Sequence, residues 1–398
     1  MTCLFPDRRF GLFIHWGIYA AGGWHEQEQG RLQIPRLDYG RYMQRFDPTE
    51  FDADAWVHAA ADAGMRYICF TAKHHDGFCM WDTDETDYKI TRTPWGRDPL
   101  RELADACARA DMALCVYYSI PDWHHPAACN PLSSHQITPE PGDTPDMAAY
   151  IDYVRAQITE LLTRYGPIRA LFWDIAPHIW DPGLNELARR LQPGFKINDR
   201  GFSEGDYATP ERLVPSQRVF SRPTEACQSV GAQSWGHRVH QHYYSTAFLT
   251  RSIDTILAMG GSYLLNVGPD EKGSFGADGD RLRRVGDWYN RVRESYGEPV
   301  VDISLPDGVL ATRQGENLYL HFRDGLNSSG VDLPGLPAPK AAVFLNDGRA
   351  LPFAVEPLPA LNCPWGTGFG GRRREGLHLW GIPVDDFAAE AAVVKLVY

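Results

Sequence analysis

Across roughly its first three hundred residues the chain alternates between short, almost unbroken apolar runs and stretches with helical spacing. That alternation restricts the fold more than any other feature. Runs at residues 10–15, 67–71, 113–118, 168–173, 195–198 and 263–267 read as strands. Continuous hydrophobicity is the mark of strands buried on both faces of a parallel sheet. Between them lie helices. Asp98 precedes Pro99, a cap followed by proline at the first helical position. Leu100, Leu103, Ala104 and Cys107 then make an apolar stripe. Tyr150, Ile151, Val154, Ile158, Leu161 and Leu162 make a second, stopped by Gly166-Pro167. Leu249, Ile253, Ile256 and Leu257 make a third, ended by Gly260-Gly261, and Leu282, Val285, Trp288, Tyr289 and Val292 make the last. Repeated strand–helix units require right-handed crossovers and a parallel sheet. The expectation is an α/β fold, a (β/α)8-like (TIM) barrel with insertions. A doubly wound open sheet would carry a GxGxxG turn after its first strand, and the sequence has none.

After Gly297 the texture changes. Short strand candidates at 300–303, 309–313, 318–322, 341–345, 377–380 and 392–398 are separated by Pro306-Asp307-Gly308, Asp324-Gly325, Asn346-Asp347-Gly348 and a glycine-rich stretch at 366–371. This reads as a small antiparallel β-sandwich. The expected division is a barrel over 1–298 and a sandwich over 299–398.

Acidic residues number 51 and basic ones 39, a net charge of −12. An acidic surface argues against nucleic acid and against an anionic membrane surface, both of which need basic faces. No apolar stretch approaches the 18 or so residues of a membrane span. The N-terminus lacks a charged-then-apolar-then-small pattern, so the expectation is no signal peptide and a cytoplasmic location. The eight cysteines (Cys3, Cys69, Cys79, Cys107, Cys115, Cys129, Cys227, Cys363) are scattered without a CxxC pair and read as free thiols.

A barrel of this type builds its site at the C-terminal ends of its strands. The residues closing each run therefore matter. His15 closes the first. Lys73, His74, His75 and Asp76 close the second. Tyr117, Tyr118 and Ser119 close the third, with Asp122 and Trp123 beyond. Asp174 closes the fourth, Asn198, Asp199 and Arg200 the fifth, and Asn266 lies in the last. Histidines and carboxylates that bind hydroxyls, in a chain with 12 tryptophans to cover apolar sugar faces, suit a polyhydroxylated ligand. Asp174 follows the bulky Leu171-Phe172-Trp173 and reads either as a functional carboxylate at the rim of a core or as a helix cap. Acid–base work needs a second carboxylate, and Glu204, Asp206, Glu211 and Glu225 are the candidates. In a retaining glycosidase the two stand about 5 Å apart. A metal reading of His74-His75-Asp76 or of His237, His240 and His242 is the minority one. Adjacent histidines on a strand face opposite ways, and no HExxH is present.

Those residues carry a resemblance. Phe10-Gly11-Leu12-Phe13-Ile14-His15-Trp16-Gly17 resembles the opening signature of the retaining α-L-fucosidase family of glycoside hydrolases. Thr71-Ala72-Lys73-His74-His75-Asp76-Gly77-Phe78 resembles its lysine–histidine–histidine signature. Asn198-Asp199-Arg200, Ser234-Trp235-Gly236 and Leu264-Leu265-Asn266-Val267-Gly268-Pro269 are similar to later blocks, in the same order over residues 8–297. The resemblance implies a barrel and a C-terminal sandwich, exo-acting hydrolysis of α-L-fucosides with retention, and neither metal nor cofactor. It implies Asp174 as nucleophile and Glu211 as acid/base, with Glu225 second in line. It implies sugar-binding roles for His15, His74, His75, Tyr117 and Arg200, and for Trp24 and Glu26 as an aromatic–acidic pair with shortened spacing. The family commonly has tryptophan two places before the nucleophile and glycine just after it. Here Phe172 and Ile175 stand there, and phenylalanine keeps an apolar wall without an indole N–H donor. The rival readings are a glycosidase for another L-galacto-configured sugar, a metal-dependent hydrolase and a non-catalytic sugar-binding protein. The expected partner is a fucosylated glycoside, and the oligomeric state stays open.

Overall fold

The computed structural model describes residues 9–358 and 374–398. The N-terminal stretch before Arg9, the glycine-rich turn at 366–371, Cys3 and Cys363 lie outside the described residues.

Seven strands form one parallel sheet: β1 (Phe10–Ile14), β2 (Tyr67–Lys73), β3 (Ala113–Ser119), β4 (Ile168–Asp174), β5 (Lys196–Ile197), β6 (Glu225–Ser229) and β7 (Ser262–Val267). Their order is β5-β4-β3-β2-β1-β7-β6. The sequence pattern indicates all of these except β6, whose Glu225-Ala226-Cys227-Gln228-Ser229 mixes polar and apolar residues yet is buried throughout. Eight strands were expected and seven are regular among the described residues. Between the edges β5 and β6 the chain runs irregularly. Asn198 bridges to Tyr207, Ala208 to Thr224 and Glu211 to Cys227, each in parallel. The amides of Asp199, Glu225 and Cys227 donate to the carbonyls of Tyr207, Ala208 and Pro210 at 3.0, 2.8 and 3.1 Å. Pro210 has no N–H to continue a ladder, which is why no regular strand forms there.

Alternation along the strands sorts their side chains onto two faces. Leu12, Ile14, Ile68, Phe70, Leu114, Val116, Leu171 and Trp173 face outward into one core with the helices. Phe13, Tyr67, Cys69, Cys115, Tyr117, Phe172, Cys227 and Leu264 make a smaller inner core. The covering helices start where the sequence has capping oxygens. Asp98, Asp146 and Ser245 accept backbone N–H groups at the heads of Pro99–Arg109, Met147–Arg164 and Thr246–Ala258. Ala53–Asp62, Pro182–Leu191 and Gly276–Val292 belong to the same layer.

The remaining strands are β8 (Glu298–Val300), β9 (Val309–Gln314), β10 (Asn317–Phe322), β11 (Val331–Pro334), β12 (Ala341–Phe344), β13 (Arg349–Ala350), β14 (Phe353–Leu358), β15 (Arg374–Leu379) and β16 (Val393–Val397). They form two antiparallel sheets, β13-β12-β16-β10-β9-β8 and β11-β15-β14. Both contribute to one apolar cluster that includes Leu320, Phe344, Leu377 and Val394. They dock on the helical layer, away from the strand ends of the parallel sheet. Asp254, on helix Thr246–Ala258, accepts from Tyr296 Oη at 3.1 Å and pairs with His321 Nδ1 of β10 at 2.8 Å. His321 Nε2 lies 2.9 Å from Thr312 Oγ1 of β9. The Trp288 indole donates to the Ala391 carbonyl at 2.9 Å.

Asp254→Ala strands two buried donors at this junction. It is expected to lower stability by about 3 kcal/mol in denaturant unfolding, with little change in activity per folded molecule.

Candidate active site

A pocket opens where β1 to β6 end, directly above the inner core. Its floor is Phe13 and Phe172. His15 follows β1 by one residue, and its Nδ1 lies 2.6 Å from Asn266 Oδ1. The Asn266 amide donates to Ser229 Oγ and the Trp235 carbonyl at 3.0 and 2.7 Å, so its oxygen faces the imidazole. Nδ1 therefore carries the hydrogen, and Nε2 is left as an acceptor. The same logic holds for His75. Its Nδ1 lies 2.6 Å from Ser119 Oγ, whose one hydrogen goes to the Pro121 carbonyl at 2.7 Å. Burial lowers His15 to about 4 and His75 to about 3. Burial, then the fields of His75 and His15, take His74 well below its ordinary value. At neutral pH these rings are uncharged.

Adjacent histidines on a strand would point apart. Here β2 ends at Lys73, and His74 and His75 lie in the turn beyond it, where the Gly77 amide donates to the His74 carbonyl at 3.1 Å. Their ring centroids are 4.2 Å apart and both line the pocket. Lys73 points away from it, buried against Asp122 at 2.8 Å and the Tyr150 hydroxyl at 3.0 Å.

Asp174 is the last residue of β4, its side chain 14% exposed. Its Oδ2 accepts from the Tyr117 hydroxyl at 2.7 Å and its Oδ1 from Arg200 Nη1 at 2.9 Å. Burial opposes ionisation, but the fields of His75 and Arg200 and the hydrogen bonds from Tyr117 and Arg200 outweigh it. The carboxyl is held below its usual range. His75 Nε2 stands 3.9 Å from Oδ2. Because that ring is neutral at working pH, Arg200 is the cation that counts. The same Arg200 Nη1 lies 3.0 Å from Glu211 Oε2, and Thr209 fixes the rest of the guanidinium, its Oγ1 and carbonyl accepting at 2.7 and 2.6 Å. Distances of 2.9 and 3.0 Å to one shared nitrogen cap the separation of the two carboxylate oxygens at about 6 Å. Glu211 sits at the rim, 41% exposed.

Three expected residues lie elsewhere. Glu225 opens β6, at the opposite end of the strand from the pocket. It accepts from the Tyr67 hydroxyl at 2.7 Å and is pushed up to about 8 by burial. Glu26 is buried beneath the pocket wall, where it accepts from the Ser234 hydroxyl and from the amides of Trp235 and Gly236 at 2.9 and 3.3 Å. Trp24 does not line the pocket; Arg238 lies over its ring at 5.7 Å and donates to its carbonyl at 2.7 Å. The aromatic wall is instead Trp235, 5.2 Å from His15 and capped by Arg212 at 4.5 Å. Gln27, His135 and Cys227 also line the cavity without a sequence signal for it, and so does Ile175, which stands where the family commonly has glycine. Ile175 takes φ 61°, a left-handed conformation costly for a β-branched residue and free for glycine. Among the described residues no group of three or more His, Cys, Asp and Glu side chains is arranged to hold a metal ion.

Residues 1–294 match the family model described as Alpha-L-fucosidase. Among curated proteins, an Alpha-L-fucosidase of Dictyostelium discoideum is 28% identical over 339 residues, covering 74% of this chain and 71% of that protein. Among solved structures, Alpha-L-fucosidase isoenzyme 1 from Paenibacillus thiaminolyticus superposes with a TM-score of 0.83 at 33% identity, covering 98% of this chain and 97% of that one. An alpha-L-fucosidase of Bacteroides thetaiotaomicron, solved as a trapped covalent intermediate with 2-fluoro-fucosyl fluoride, shares the fold with a TM-score of 0.78 at 24% identity, covering 99% and 94%.

The lowered histidines set a pH dependence. In the unfolded chain these imidazoles take up protons near 6.5; in the folded chain His15 does so at about 4 and His75 at about 3. Between those values the unfolded state binds more protons. Stability should therefore fall as pH drops below 6.5, on the order of 1 kcal/mol per pH unit for each ring, down to about 4 for His15 and about 3 for His75. Denaturant unfolding at pH 7 and pH 5 measures it.

Proposed function

The chain belongs to the alpha-L-fucosidase family, and from that premise we propose how the residues of its pocket share the reaction. The protein is a retaining glycoside hydrolase that releases L-fucose from fucosylated glycosides. Asp174 is the nucleophile. Ionised and held by Tyr117 and Arg200, it attacks the anomeric carbon and forms a covalent glycosyl-enzyme. Glu211 protonates the departing oxygen, then takes a proton from the water that hydrolyses the ester. His15, His74 and His75 accept ring hydroxyls, Arg200 orients the acids, and Phe172 meets the sugar from below. Contacts that tighten as the ring flattens towards an oxocarbenium ion favour the transition state over bound substrate.

One observation carries this reading: a buried, ionised carboxylate and a rim carboxylate share a single guanidinium nitrogen. The resulting ceiling of about 6 Å between the facing oxygens is compatible with the 5–5.5 Å or so between carboxyl groups in retaining enzymes. We also read the irregular span 207–211 as the eighth member of a (β/α)8-like barrel ending near residue 298, and the two C-terminal sheets as a sandwich. The parallel bridges across that span and the single core between the sheets support it.

Asp174→Gly is expected to cut kcat on an aryl α-L-fucoside by about 10⁴-fold, with azide restoring turnover as a fucosyl azide of inverted configuration. Hydrolysis persisting near the wild-type rate would remove Asp174 from its role. Glu211→Ala is expected to slow substrates with poor leaving groups far more than a dinitrophenyl fucoside, which needs no proton.

A further inference from the structure

Glu211 stands in the span where no regular strand forms, so its main chain needs another hold. The Cys227 amide donates to the Pro210 carbonyl at 3.1 Å, and the Arg212 amide donates to the Cys227 carbonyl at 2.9 Å. One residue of β6 thus grips the chain on both sides of Glu211. Arg212 then turns the chain with φ 52°. A residue with a side chain keeps this left-handed conformation only where its surroundings impose it. Were Arg212 to relax to an ordinary conformation, its N–H would swing away from Cys227 and the second grip on Glu211 would go with it.

The side chain supplies the constraint. Its Nη1 is directed at three acceptors, Gln228 Oε1 at 3.3 Å and the carbonyls of Gly231 and Ala232 at 3.3 and 3.4 Å. Its guanidinium carbon lies 4.5 Å from the centre of the Trp235 ring, a cation on an aromatic face. The turn it grasps is itself anchored. The Trp235 amide donates to Glu26 Oε2 at 2.9 Å, and the Trp235 carbonyl accepts from Asn266 Nδ2 at 2.7 Å. The Ala232 amide donates to the His242 carbonyl at 2.7 Å. Among the described residues Arg212 pairs with no carboxylate, so neutralising an acid is not its task. A planar fork over a ring, with carbonyls at its edge, is a clamp.

We propose that Arg212 is a positioning residue for the acid/base: by clamping its side chain across the Trp235 turn, it fixes the main chain of Glu211 at the rim of the pocket. The proposal rests on the fucosidase reading above, with Glu211 as its acid. It goes beyond that reading, because Arg212 does not line the pocket and acts only through its neighbours. Trp235 gains a second use. Its ring lines the pocket and also carries the guanidinium that steadies the proton donor.

The test compares kcat/KM on phenyl α-L-fucoside, whose leaving group needs a proton, with kcat/KM on the dinitrophenyl fucoside, whose leaving group does not. Arg212→Met keeps the length of the side chain without its charge or donors. Arg212→Lys keeps a charge for the ring but not the fork. The phenyl-to-dinitrophenyl ratio is expected to fall about tenfold in Arg212→Met and about threefold in Arg212→Lys, a part of what full general-acid catalysis supplies. A merely structural role lowers both substrates alike, so a ratio unchanged in both variants overturns the clamp. If Arg212→Met does not fold, the ratio in Arg212→Lys decides alone. Glu211→Ala, measured alongside, separates the two possible failures. If it leaves the ratio unchanged, Glu211 is not the acid, and the reading beneath falls together with the clamp. If it collapses the ratio while the Arg212 variants keep it, the clamp alone is overturned.

Discussion

Parallel strands covered on both faces leave polar side chains one exit, the ends of the strands. The inner face of this sheet is filled by Phe13, Cys69, Cys115, Phe172 and Cys227, so no ligand enters between the strands. Above that filling, His15, His74, His75, Asp174 and Arg200 all follow or close a strand within a few residues, and Tyr117 reaches them from inside β3. Strand spacing sets the places of His15, Tyr117 and Asp174, while the turns after β2 and β5 set those of His74, His75 and Arg200. Rigidity of this kind is what a nucleophile needs, since small displacements at the reacting atoms cost large factors in rate. Among the described residues, none of the C-terminal sheets lines the pocket. They brace the helical layer through Asp254, His321 and Trp288.

How much of this was legible in the sequence follows from which forces place each residue. Strands β1 to β4 and β7 stand out because double-sided burial demands continuous apolar side chains. Strand β6 does not, since Glu225, Gln228 and Ser229 are buried with hydrogen-bonding partners that only the folded chain supplies. The span 207–211 is held by backbone carbonyls around Pro210, and side-chain spacing carries no trace of that. The residues at strand ends were visible for the same reason as the strands. Gln27, His135 and Trp235 come from long loops, and their positions depend on distant closures. Glu26 shows this: it joins the residues after β1 to the Ser234–Gly236 turn, two hundred positions away. Its acidity was visible in the sequence, while its use as a structural acceptor was not. Glu211 and Glu225 could not be separated by sequence either, yet they lie at opposite ends of the same cross-bridge region, one at the mouth and one at the base.

Among the residues lining the pocket, Arg200 is the one permanent cation. Burial keeps the three histidines neutral, and internal hydrogen bonds fix their Nδ1 hydrogens in two of them, so they offer lone pairs rather than charge. Hydroxyl groups are natural ligands for such a surface. The electrostatic work at the two carboxylates then falls on Arg200, which Thr209 and the Phe172 face hold in one position.

That single guanidinium serves two masters in turn. In the reaction proposed above, its Nη1 reaches both carboxyls at once. Esterification of Asp174 would remove one negative charge from beside the guanidinium, and the field of Arg200 would then fall on Glu211, the group that must carry a negative charge until water arrives.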